Sequence, residues 1–87
     1  MAYRLLIRPA AERDLRALTP TILERVDARI RALAENPRPR GFERLRGPQG
    51  GFRLRVGDYR ILYDVDDAQH VVMIGRVRHR RDVYRGL

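Results

Sequence analysis

The chain has 87 residues, enough for a single small domain spanning 1–87. It holds no cysteine and only two histidines, which excludes a disulfide framework, a thiolate metal site and a cysteine nucleophile. Nineteen basic residues, all arginine, stand against 11 acidic ones; the net charge of +8 points to an anionic partner, either nucleic acid or an acidic protein.

Tyr3–Ile7 is a short apolar run and reads as a first strand. Its flanks are too interrupted for a secretory signal, and no apolar run reaches the roughly 20 residues that cross a bilayer, so a cytoplasmic protein is expected. Pro9 suits a first helical position, and Ala11, Leu15 and Leu18 recur at helical spacing. Thr19-Pro20 opens a second helix, with Ile22, Val26, Ile30 and Leu33 as its apolar stripe, and Asn36-Pro37 closes it. The charged face of this helix reads as solvated, with local ion pairs. A helix-turn-helix DNA reader would need a third supporting helix, and strand-like sequence follows instead.

Residues 36–51 form a proline- and glycine-rich loop that can hold a short strand around Glu43–Arg46. Its glycines lack the Gly-Lys-Ser/Thr ending of a phosphate loop. Gly51–Tyr63 then reads as a tight β-hairpin. Phe52, Leu54 and Val56 alternate with Arg53 and Arg55, Gly57-Asp58 is the turn, and Tyr59, Ile61 and Tyr63 resume the alternation. A two-residue turn sets Arg55 opposite Arg60. Like charges facing each other destabilise a sheet, and a paired-guanidinium face suits a phosphate. Asp64–Gln69 is an acidic turn; its aspartates lack a further ligand and are read as turn residues, with no metal site. His70–Val77 is a continuous apolar strand suited to the interior of a sheet. The tail Arg78–Leu87 is rich in cations.

The order is β-α-α-β-β-β, an α+β fold with a helical hairpin on one face of a mostly antiparallel sheet. The other face presents Arg53, Arg55 and Arg60, with Arg76 or Arg78 close by. Such a surface suits RNA, because guanidinium planes stack on splayed bases and bind phosphates. It also allows cleavage with no cofactor, since the 2′-hydroxyl of RNA is a built-in nucleophile and cations stabilise the phosphorane.

The segments GFRLRVGDYRILYDV and IGRVRHRRDVYRGL, with YRLLIRPAAERDLRAL, ENPRP and ERLRG before them, resemble the RelE/ParE superfamily of bacterial toxin–antitoxin toxins, and more narrowly its RelE branch. The resemblance implies a ribosome-dependent, metal-independent endoribonuclease that cuts mRNA and leaves a 2′,3′-cyclic phosphate. It also implies an acidic, RelB-like antitoxin as partner. It assigns phosphate binding to Arg60 and Arg78, base stacking and orientation of the 2′-OH to Tyr84, and the two strand lysines of well-studied members to Arg53 and Arg55. Arg76, Arg80 and Arg81 join the RNA-binding set. An arginine at position 55 is a poor base, as its pKa stays above about 12. His79 and Tyr84 are the proton-transfer candidates, a strand-end histidine capping a carbonyl is the other reading of His79, and positioning plus charge with no strong base is a third possibility. Two further readings stay open: a ParE-like inhibitor of DNA gyrase, and a catalytically weak RNA-binding relative.

Overall fold

A computed structural model describes residues 2–46 and 50–81. The element order is β1 (Arg4–Ile7), α1 (Pro9–Arg16), α2 (Pro20–Glu35), β2 (Phe42–Arg44), β3 (Phe52–Val56), β4 (Tyr59–Asp66) and β5 (Val71–His79). The strands form one sheet in the order β1-β5-β4-β3-β2, antiparallel except for the parallel pair β1–β5. This is the α+β architecture expected. The short loop strand exists as β2 and starts at Phe42. The acidic turn is shorter than expected, because β4 continues to Asp66 with Val65 opposite Val72.

Both helices begin with proline at their first position, where the missing N–H costs no hydrogen bond. The stripe Val26, Ile30 and Leu33 of α2 is fully buried with Leu54, Ile61, Tyr63, Val72, Ile74 and Val77. These strand residues belong to cross-strand rows of one face: Phe42, Leu54, Ile61 and Val77 are opposed in turn across β2 to β5. Alternation with period two therefore sends the intervening residues to the face that α2 leaves uncovered.

Gly57 opens the β3–β4 turn at φ 59° with no positive φ at Asp58, the pattern of a turn that places glycine first. Gly75 is the extra residue of a bulge in β5, opposite the Leu62–Tyr63 step. A Cβ there would lie 3.4 Å from the carbonyl oxygen of Leu62. The bulge lets Arg76 and Arg78 keep the same face as Arg60 while Ile74 keeps the core.

Helix α1 lies beside the C-terminal half of β5, where β1 has ended. The Arg8 N–H donates to the carbonyl of Ile74, and the Asp14 carboxylate accepts the Val77 N–H at 2.9 Å. Asp14 thus satisfies an edge donor that no strand reaches. The same carboxylate accepts two hydrogen bonds from Arg76, at 2.8 and 3.1 Å. Partial burial raises the Asp14 pKa, but the Arg76 and Val77 hydrogen bonds and the charges of Arg76 and Arg78 outweigh it and hold the carboxyl below its ordinary value. A carboxyl depressed in the folded state stabilises above its unfolded pKa near 4, and that contribution is lost as pH falls through the folded value. Asp14→Asn is expected to cost about 1–3 kcal/mol at pH 7. It should also flatten the loss of stability below about pH 4. Urea unfolding at pH 7 and pH 3 measures both.

At the opposite end of the sheet, Asp67 accepts from the Tyr3 hydroxyl at 2.7 Å and from Nη1 and Nη2 of Arg38, at 3.2 and 2.8 Å. The Tyr63 hydroxyl donates to the carbonyl of Pro37, and burial pushes its pKa up to about 12. These bonds tie the loop after α2 to the sheet.

Candidate functional site: an arginine face on the sheet

Two cross-strand rows build the uncovered face. The first is Arg55, Arg60 and Arg78, opposed in turn on β3, β4 and β5. The second, one step along, is Glu43, Arg53, Leu62 and Arg76 on β2 to β5. Three guanidinium side chains in one row give two directly opposed like-charge pairs, a local cost that an anionic ligand would reverse.

Arg60 is the centre of the first row and is the one buried charged side chain among the described residues, at 8 % exposure. Its Nη1 donates to the carbonyl of Tyr59 at 3.2 Å. Arg55, Arg60, Arg80 and Arg81 line a groove of about 340 Å³. Arg80 is drawn back over the hairpin turn: its N–H donates to the carbonyl of Asp58 at 2.7 Å, and its guanidinium stands 3.9 Å from the Asp58 carboxylate. The hairpin turn therefore anchors Arg80, just after β5, beside the arginine row.

Arg78 completes the row by register but does not line this groove, and other expected residues are held elsewhere. Arg76 starts from the same face, but its guanidinium folds over the sheet edge onto Asp14. Arg53 is held by Glu43 at 2.8 Å, and its buried Nε makes no hydrogen bond among the described residues. His79 lies on the other face of the sheet. Consecutive strand residues must point to opposite sides, so Arg78 and His79 cannot both join the row. The His79 ring packs edge-on against Tyr59, with centroids 5.2 Å apart, and its Nδ1 accepts the N–H of Arg81 at 3.2 Å. Tyr84 lies outside the described residues.

Glu43 was not singled out by its sequence context, where it sits in a loop of glycine, proline and arginine. Only the pairing of β2 with β3 brings its carboxylate onto the arginine face. The Arg53 hydrogen bond and charge, then the more distant charges of Arg55 and Arg60, hold it below the usual carboxylate range. It is an anion at neutral pH and the carboxylate within these two rows. The arrangement can bind and stabilise a phosphate through Arg55, Arg60 and Arg78, with an acceptor oxygen at the margin.

A family model described as "ParE toxin of type II toxin-antitoxin system, parDE" matches residues 5–84. Toxin RelG of Mycobacterium tuberculosis is 40% identical over 86 residues, covering 98% of this chain and 99% of that protein. The toxin–antitoxin complex RelBE2 from Mycobacterium tuberculosis contains a chain 37% identical, with TM-score 0.81, covering 91% of this chain and 92% of that one. The archaeal RelE–RelB complex from Pyrococcus horikoshii also superposes at TM-score 0.81, with 28% identity and coverage of 92% and 97%. The chain therefore belongs to the RelE/ParE family of toxins of type II toxin–antitoxin systems.

Proposed function

We propose that this toxin is a ribosome-dependent, metal-independent endoribonuclease that cleaves mRNA. The observation that carries the reading is the row Arg55, Arg60 and Arg78 on the sheet face that the helices leave open. In the reaction the 2′-oxygen attacks the adjacent phosphorus while the bond to the leaving 5′-oxygen breaks, so the products are a 2′,3′-cyclic phosphate and a free 5′-hydroxyl. The proton of the 2′-OH passes to a base, and the 5′-oxygen gains one. Arg55 and Arg60 offset the negative charge of the phosphorane in a groove where Arg60 is shielded from water, with Arg78 next in the row.

Arginine cannot take the 2′-OH proton at neutral pH. Glu43, ion-paired with Arg53 one row away, is the acceptor that the two rows themselves offer. Glu43→Gln keeps the shape and a hydrogen bond to Arg53. It is expected to slow cutting about 100-fold or more. Mapping mRNA cuts on translating ribosomes with wild type and Glu43→Gln measures this; an unchanged rate would place the base in the C-terminal tail or on the ribosome.

The partner that restrains such a toxin is an acidic, RelB-like antitoxin. The net charge of +8 would steer an acidic chain onto the arginine face, and the two solved structures above are toxin–antitoxin complexes. Messenger RNA on ribosomes makes the cytoplasm the place of action.

The ParE label of the matching family model favours a second reading, inhibition of DNA gyrase. Purified gyrase decides between them: a supercoiling block by the toxin, with no ribosomal cuts, would replace the RNase reading.

A further inference from the structure

The arginine groove does not end at the sheet. Arg55 lines a second groove of about 310 Å³, formed with Arg25, Ala28 and Arg29 of α2 and with Val56 and Gly57 of the hairpin. Arg55 thus stands at the junction of two grooves, one on the open face and one between hairpin and helix.

Arg25 and Arg29 are one helical turn apart and exposed on the same face. Like charges at this spacing destabilise a helix. Elsewhere the helices resolve such charges: Arg31 pairs with Asp27 at 2.8 Å and Arg16 with Glu12 at 3.7 Å. Arg25 and Arg29 make no ion pair among the described residues. The Arg25 guanidinium leans over the turn, 3.4 Å from where a Cβ on Gly57 would sit. Ala28 between them keeps the groove floor low. The two cations therefore flank a channel that a strand leaving Arg55 would enter.

We infer that Arg25 and Arg29 bind the phosphodiester backbone of the substrate strand beside the cleaved position. The RNA leaves the arginine row at Arg55, turns over the β3–β4 hairpin and lays flanking phosphates against α2. This subsite reads charge and not sequence, because guanidinium contacts to phosphate carry no base information. The inference rests on the RNase reading and extends it from a cleavage point to a path.

The test uses purified toxin and labelled single-stranded 2′-O-methyl RNA, which resists cleavage, in lengths of about four and about twelve nucleotides. Fluorescence anisotropy is measured across a salt series. Arg25→Gln/Arg29→Gln is expected to weaken the long strand roughly tenfold and to spare the short one. The slope of log affinity against log salt for the long strand should fall by about 1.4, the value for two lost single-strand contacts. Arg13→Gln/Arg16→Gln removes the same charge from α1 and should leave that slope unchanged. Unchanged long-strand binding in Arg25→Gln/Arg29→Gln overturns the inference, as does an equal loss at both lengths. Loss of affinity for the antitoxin alone also overturns it and assigns the groove to the protein partner. Arg60→Ala reads the underlying site separately: if it leaves the short strand bound as in wild type, the RNase reading itself fails.

Discussion

Arg60→Ala is expected to lower mRNA cutting on ribosomes by about 100- to 1,000-fold, the cost of removing one preorganised charge donor from a site of this kind. The effect should exceed that of Arg55→Ala, because Arg60 is opposed by an arginine on both sides and is the most buried of the three. The fold should survive. Removing Arg60 relieves two like-charge oppositions, and its core-facing neighbour Ile61 stays in place. Growth arrest on expression without antitoxin gives the first measure, and primer extension on ribosome-bound message gives the second. Full cutting by a folded Arg60→Ala protein would remove the arginine row from the mechanism.

The largest effect on stability is expected from Leu33→Ala. Leu33 is fully buried on the last turn of the α2 stripe, in the cluster that joins the helix to β3, β4 and β5. Truncation there removes transfer energy and leaves a cavity, a loss of about 2–5 kcal/mol. A domain of 87 residues holds only roughly 4–13 kcal/mol in total. Each kcal/mol moves the midpoint of a domain this size by roughly 4–8 °C, so the melting temperature should drop by at least about 8 °C. Calorimetry measures the shift. Arg31→Ala, which breaks only an exposed helix pair, should change stability by less than about 0.5 kcal/mol.

The fold was legible because its signals are local and agree with one another. Proline at two helix starts, helical spacing in α2 and Gly57-Asp58 between alternating strands each act within a few residues. The opposition of Arg55 and Arg60 followed from the turn length alone. What escaped depends on distant pairing. Nothing near Glu43 in the chain announces that β2 will carry it beside Arg53, and the fate of Arg76 depends on Asp14, 62 residues away. His79 shows the reverse case. Alternation along β5 places it opposite Arg78, but a reading by motif groups the two because they are adjacent in the chain.

The parallel pairing of β1 with β5 sets an order of events in folding. Its register joins Arg4 to Val71, so β1 waits for β5. Arg78, at the end of that last strand, also completes the arginine row. Until β5 is in place the chain has therefore neither a closed sheet nor a finished row. Non-local pairings of this kind form late in folding. The strand that closes the sheet onto β1 is thus the strand that completes the arginine row, so the row exists only in a chain whose sheet is already whole.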